Sequence, residues 1–275
     1  MILDGKKVSN EIIENIKKEI ELLDKKIGFA VIWIGNDEAS SIYVNNKIKK
    51  CECVGINAEL YHLDNEITEK EVISLIDKLN KREDIHGILL QSPIPKHINI
   101  DKCFNRISDT KDIDGFGIVS SGNLFLGSPS FISCTPKGIM KLFEYYNIDL
   151  EGKNVCIINR SNIVGKPLFH LLIEKNATVT MCHSKTTNLS FHTQNADIVI
   201  SAVGKPNFIK EDMVKDGSIV IDVGISRVNG KVVGDVDYDN VSKKTSFITP
   251  VPGGVGPMTI AMVLENILEG VKKNG

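Results

Sequence analysis

Residues 154–174 read NVCIINRSNIVGKPLFHLLIE, and no other stretch restricts the fold so tightly. Within Asn154–Arg160, Val155–Ile158 is an unbroken apolar run, the pattern of a strand covered on both faces rather than one exposed to water on one side. A short polar turn follows, and then an apolar helical stretch, Leu168–Glu174. Three more strand patterns come after it, Thr178–Cys182, Ile198–Ala202 and Ser218–Val223, which is the order of a dinucleotide-binding domain.

The N-terminal half alternates in the same way. A helix over Gly5–Leu23 precedes a strand, Gly28–Ile34, and a loop, Gly35–Ala39. The next helix carries Tyr43 and Lys47 on one face and is ended by Gly55. A strand over Asn57–His62 leads to a helix opened by Thr68, where TEKE has the form of a capping box. The strand His86–Leu90 then runs into QSPIP. The spacing predicts a second run from a helix near Thr135, and a last helix, Met258–Lys272, that packs back on the first domain. The expected fold class is therefore α/β. It comprises an N-terminal three-layer α/β domain, residues 1–134 completed by 258–275, and a Rossmann domain, residues 135–257.

Composition removes several classes of function. A chain of 275 residues with a net charge of -2 gives no electrostatic reason to expect a nucleic acid or a membrane surface as partner. The N-terminus lacks a signal-peptide pattern and no apolar stretch approaches bilayer length, so the reading is cytoplasmic. Six scattered cysteines fit reduced thiols better than a disulfide framework. Cys51 and Cys53 form a CxC pair, half of a tetrahedral site without a second half nearby, and no metal is expected.

The turn NRSNIVGKP occupies the phosphate-binding position of a nucleotide domain. It departs from GxGxxG: Asn159 and Ser161 stand in place of glycines, and Gly165 remains. The strand, turn and helix N-terminus are expected to offer free backbone N–H groups to a pyrophosphate. After the second strand come His183, Ser184, Lys185 and Thr186, donors where an NAD site carries an acid. With Arg160 in the first turn, these favour NADP. Ile225, just past the strand VIDVG, is placed near the nicotinamide end. Asp222 reads equally as a buried acid satisfied by backbone donors.

Four further stretches carry more chemistry than loops require: the Tyr43–Lys47 helix, LLQSPIP, KDIDGFG and TPVPGGVGP. Gln91 is delivered to the carboxyl edge of its strand, where it can hold a neighbouring side chain or simply form a turn. Strand-like alternation would place Asp112 and Asp114 on one face, although Lys111 and a single Gly115 do not complete a calcium loop. The PGGVGP loop joins restricted prolines to three glycines. It suits either close approach to a ligand or a tight interdomain crossover.

Taken in order, ASSIYVNNKIKKCECVGI, QSPIP, KDIDGF, CTPKG, RSNIVGKP, TVTMCHSKT, DVGI, GDVDY and TPVPGGVGPMT resemble the methylenetetrahydrofolate dehydrogenase/methenyltetrahydrofolate cyclohydrolase family over nearly the whole chain. The resemblance implies a catalytic domain, an NADP-binding Rossmann domain, a folate cleft between them and a homodimer. By matching motif, Tyr43 would stack on the tetrahydrofolate derivative, Lys47 would be the catalytic cation, Gln91 would position it, and Asp114 would grip the pterin. Leu90, Ser92 and the loop Pro252, Gly253, Gly254, Val255 and Gly256 would line the substrate site. Asn159, Arg160, Ser161, Gly165, Ser184 and Ile225 would hold NADP.

The chain departs from the family pattern at Asn159, Ser92, Gly117, Ile118, Ser120 and Ser133. These changes leave a dehydrogenase-only member as the alternative. Two rivals are a nucleotide-binding regulator without chemistry and an NADP dehydrogenase of amino or hydroxy acids. The second would require a carboxylate-binding arginine, which the four substrate-side stretches lack.

Overall fold

The computed structural model describes residues 1–23 and 25–274, without the side chains of Glu38, Ala39 and Asn274. The side chain of Ala39, first residue of the ASSIYVNNK block, and Gly275, the end of the expected catalytic domain, therefore lie outside the described set. The chain divides into two compact units, Glu11–Cys134 with Ile260–Gly275, and Met1–Asn10 with Thr135–Thr259. The first ten residues thus join the second unit, whereas the sequence reading gave them to the first. Hydrogen bonding supplies the reason: Ile2 bridges Ile248, Leu3 N donates to Ile248 O at 2.8 Å, and Lys6 N donates to Gly253 O at 2.8 Å.

The chain from Gly5 to Phe125 forms α1 (Gly5–Glu21), β1 (Ile27–Ile34), α2 (Glu38–Cys53), β2 (Ile56–Leu63), α3 (Glu69–Lys81), β3 (Ile85–Leu90), α4 (Ile100–Phe104) and α5 (Ile118–Phe125). Its sheet is parallel, in the order β2-β1-β3. The central strand β1 reads IGFAVIWI and is buried at every position. Alternation sends Phe29, Val31 and Trp33 to a core shared with Ile13, Ile16 and Ile20 of α1 and with Ala261–Val271 of the last helix. Ala30, Ile32 and Ile34 pack the opposite face against Val72, Ile76 and Leu79 of α3. Three layers result, and the last helix packs on this unit, as expected.

Local signals set the ends. The pattern predicts a loop over Gly35–Ala39, but α2 starts at Glu38 because the Asp37 carboxylate accepts from Ser40 N at 2.7 Å. Gly55, with φ +88, follows the C-cap of α2. Thr68 and Glu71 form both halves of the capping box on α3.

The remaining elements are α6 (Cys134–Tyr145), β4 (Asn154–Ile158), α7 (Gly165–Ile173), β5 (Thr178–Cys182), α8 (Leu189–Gln194), β6 (Ile198–Ser201), a 3-10 turn (Glu211–Met213), β7 (Ile219–Asp222), β8 (Ser226–Val228), β9 (Lys231–Val233), α9 (Tyr238–Val241), β10 (Phe247–Ile248) and α10 (Val255–Asn274). Five strands pair in parallel in the order β10-β7-β6-β4-β5. From β4 the chain adds β5 on one side and β6 on the other, so the carboxyl ends of β4 and β6 flank a topological switch point, where doubly wound sheets bind ligands. The antiparallel hairpin β8–β9 turns at Asn229 and Gly230, with φ +49 and +77. Among the described residues, no helix is long and apolar enough to cross a membrane.

Candidate active site

In the catalytic unit, Gln91 N donates to Ile32 O at 2.8 Å and carries the β3 ladder to its carboxyl edge. The side-chain amide is then oriented from both ends. Nε2 donates to Ser92 O at 2.7 Å, which turns Oε1 to accept from Lys47 Nζ at 3.1 Å. Lys47 is half-buried on α2, and Tyr43, one turn earlier, is 42% exposed. Lys49 and Lys50 point outward on the same helix. Ser92 is exposed, whereas the Leu90 side chain is 2% exposed and belongs to the core beneath the sheet. The Leu90 side chain thus faces the core, and any contact it makes with substrate would have to use its backbone.

Asp112 and Asp114 do not share a face. The segment is a turn rather than a strand, with Gly115 at φ +66. Asp112 faces inward and accepts from Phe116 N at 3.2 Å, Gly117 N at 2.9 Å and Ser120 Oγ at 2.7 Å. Burial pushes its carboxyl up to about 6 against the pull of Ser120 and Gly117. Two family departures find a local cause here, since Ser120 supplies a donor and a Cβ on Gly117 would meet Asp112 Oδ2 at 2.9 Å.

Asp114 has different neighbours. Burial raises its carboxyl, while the Lys47 ammonium and the Cys134 thiol draw it back down. Cys134 Sγ donates to Asp114 Oδ1 at 3.8 Å. Lys47 thus links Gln91 by hydrogen bond and Asp114 by charge, and three elements distant in sequence converge on one cation.

The turn itself is clamped by residues the sequence reading missed. Lys111 Nζ donates to Leu79 O at 3.1 Å, Asn80 O at 2.8 Å and Arg82 O at 2.6 Å, closing the C-terminus of α3. Asn266 of α10 donates to Ile113 O at 2.6 Å and Ile132 O at 2.9 Å. A signal for Asn266 existed: it is an amide four positions from Met262 on the apolar face of the last helix.

In the other unit, the first turn is more occupied than expected. Asn159 Oδ1 accepts from Ser161 N at 2.7 Å and Gly165 N at 3.1 Å, and Ser161 Oγ accepts from Val164 N at 3.1 Å. The side chain that replaces a glycine therefore uses backbone donors that the motif reading left free for phosphate. Gly165 packs so closely that a Cβ there would meet Asn159 O at 2.3 Å. What faces outward is the Arg160 side chain, and the Ser161 hydroxyl proton is not used by its bond to Val164. After β5, His183 Nδ1 accepts from Lys185 N at 3.1 Å and Thr186 Oγ1 from His183 N at 2.8 Å, so Ser184 and Lys185 are left exposed.

Ile225, 46% exposed, lines a pocket of about 120 Å³ with Gly224, Val232 and the Pro250–Pro257 segment. The structure therefore puts the residue expected at the nicotinamide and the loop expected at the folate on one apolar hollow. Val255 and Gly256 are the first turn of α10, not loop.

Two family models match the chain: Tetrahydrofolate dehydrogenase/cyclohydrolase, catalytic domain, over residues 3–114, and Tetrahydrofolate dehydrogenase/cyclohydrolase, NAD(P)-binding domain, over residues 133–275. The chain belongs to the tetrahydrofolate dehydrogenase/cyclohydrolase family. Within that family it is 52% identical to the Bifunctional protein FolD of Nautilia profundicola over 98% of this chain and 97% of that protein. The bifunctional FolD methylenetetrahydrofolate dehydrogenase/cyclohydrolase from Campylobacter jejuni is similar in structure, with TM-score 0.98, 49% identity and 99% of each chain covered. The Trypanosoma brucei FolD, solved with NADP cofactor and an inhibitor, superposes with TM-score 0.95 at 33% identity, covering 99% of this chain and 97% of that one.

Proposed function

We propose that the protein oxidises 5,10-methylenetetrahydrofolate with NADP and then hydrolyses the methenyl cation to 10-formyltetrahydrofolate. The observation that carries this reading is the Lys47 ammonium, held by the Gln91 carbonyl and facing the charge of Asp114, in a chain whose relatives at about half identity are named bifunctional. Those names count against the dehydrogenase-only alternative.

The nucleotide unit fits NADP. Arg160, Ser184 and Lys185 are exposed beyond the carboxyl ends of β4 and β5, and the loop after β5 presents donors rather than the acid a free ribose 2'-hydroxyl would call for. NADP, when bound, supplies the hydride acceptor. The chain's residues do the rest. Asp114, kept less acidic by burial, is suited to hold the nitrogen-rich ring by two hydrogen bonds. Tyr43 offers an exposed ring face for stacking.

Loss of the hydride leaves a cation on the folate, and its hydrolysis has separate needs. Water must add to the bridging carbon and lose a proton before one carbon–nitrogen bond breaks. The proton lost by the water passes to solvent, and the Lys47 ammonium is the group that can give one to the departing nitrogen, with Gln91 fixing where its nitrogen sits. Hydride transfer needs mainly position, so Lys47 matters more to the cyclohydrolase. A homodimer in the cytoplasm completes the reading, supported by the family resemblance.

The test mixes protein, NADP and 5,10-methylenetetrahydrofolate and follows NADPH and the methenyl species separately, with NAD as a control. NADPH should form, with methenyl that rises and then falls. Binding of NADP without its reduction would reject the reading.

A further inference from the structure

The motifs DVGI and GDVDY carry a device that the reaction does not yet use. Asp235 of GDVDY is 0% exposed, and its carboxylate accepts from Ser201 Oγ at 2.9 Å, Val203 N at 2.7 Å and Lys205 N at 2.8 Å. It therefore fixes the segment that follows β6. Asp222 of DVGI is 3% exposed and accepts from Gly224 N at 3.0 Å, Asp235 N at 2.9 Å and Val236 N at 2.9 Å. It fixes the segment that follows β7 and holds Asp235 in place.

The two motifs are reciprocal. A Cβ on Gly224 would meet Asp235 Oδ1 at 2.1 Å, and a Cβ on Gly234 would meet Asp222 Oδ2 at 2.0 Å. Each glycine leaves room for the other motif's carboxylate. The web extends to the switch point, where Asn159 Nδ2 donates to Ala202 O at 2.6 Å and ties the β4 turn to the end of β6. Asn159, Ala202–Lys205 and Gly224–Ile225 thus form one hydrogen-bonded rim along the carboxyl edge of the sheet, and Asp235 stands at its centre.

We propose that Asp235 is a positioning residue for hydride transfer, which sets the Val203–Lys205 segment and, through Asp222, the Gly224–Ile225 segment against the nicotinamide end of the nucleotide. This rests on the NADP reading above. The chemistry is suited to the task, since a buried carboxylate with three donors is costly to displace and holds its loops in one arrangement. Asp235 is wholly buried and would act only through the segments it holds. Its effect should be confined to the nucleotide half-reaction, because hydrolysis of a methenyl folate consumes no nicotinamide.

The experiment compares wild type with Asp235→Asn, an isostere whose NH₂ must face at least one of the three donors. Three quantities are read: kcat/KM for NADP, NADP affinity by titration calorimetry, and hydrolysis of added 5,10-methenyltetrahydrofolate without nucleotide. Asp235→Asn should lose roughly tenfold or more in kcat/KM for NADP and keep hydrolysis within about twofold. Equal loss of both activities, or loss of neither, overturns the proposal. If Asp235→Asn does not fold, Ser201→Ala removes one donor and should lower kcat/KM for NADP about threefold with hydrolysis unchanged. An unchanged value there also overturns it. Wild-type protein that binds NADP but fails to reduce it rejects the function proposed above, and Asp235 is then judged on NADP affinity, where an unchanged value in Asp235→Asn overturns its role.

Discussion

The catalytic and nucleotide units use buried polar side chains in different ways. In the nucleotide unit, the side chains of Asn159, Asp222 and Asp235 bond chiefly to backbone N–H and C=O groups, and the side chains of Arg160, Ser184 and Lys185, proposed to meet the nucleotide, are exposed. The catalytic unit treats Lys111 and Asp112 in the same way, yet its neighbours Lys47, Gln91 and Asp114 meet one another through side chains. A buried polar group answered mainly by backbone holds a loop. One answered by another charged side chain, as Asp114 is by Lys47, feels a partner charge within reach of bound molecules.

Substitutions can break that contrast. The largest effect should come from Lys47→Met, which removes the proposed proton donor: hydrolysis of methenyltetrahydrofolate should fall by about 10²–10⁴, with a much smaller loss in NADPH formation. Comparable losses in the two assays would show that Lys47 serves binding instead. Next, Asn266→Leu strips the amide donor from the carbonyls of Ile113 and Ile132, leaving Ile113 O only the weak Cys134 thiol, and should cost about 1–3 kcal/mol in urea unfolding. Gln91→Ala frees the lysine from its hydrogen bond, and hydrolysis should drop about tenfold while NADP affinity stays at the wild-type value.

The smallest effect is in pH dependence. His86 is buried and its Nδ1 accepts from Gly28 N at 3.2 Å, while burial and the charges of Lys25 and Lys111 lower it from 6.5. Its contribution is complete above 6.5 and is lost as pH falls from there through the lowered folded-state value, because the unfolded chain takes up the proton first. Asp222 runs the other way: pushed up to about 6 by burial, it stabilises most below the unfolded value of 3.8 and loses that contribution as pH rises through 6. Thermal melts across this range should show a shallower acid-side loss in His86→Gln than in wild type. Parallel curves would remove His86 from the explanation.

Much of the fold could be read from local pattern. TVTMC is a strand over the whole stretch assigned to it, and TEKE caps α3 as its chemistry demands. Long-range hydrogen bonding was not legible. Nothing near Lys111 announces that its amine closes α3, and the start of the chain gives no sign that Ile2 will bridge Ile248. Alternation misplaced Asp112 because Gly115 turns the backbone, and the motif at Asn159 marked a lost glycine without showing that its amide takes up two N–H groups. Lys47 and Gln91 were legible as residue types, while their contact depends on a β3 ladder extended by one residue.

The contrast between the two kinds of buried group is tested most directly within one turn, by measuring Asp112→Asn and Asp114→Asn side by side for melting temperature and for kcat/KM with 5,10-methylenetetrahydrofolate. Asp114→Asn should keep the wild-type melting temperature and lose roughly tenfold or more in kcat/KM, while Asp112→Asn should lose about 1–3 kcal/mol of stability and keep its activity per folded molecule. The reverse pattern, with Asp112→Asn folded but inactive and Asp114→Asn unfolded but catalytically intact where folded, would contradict it.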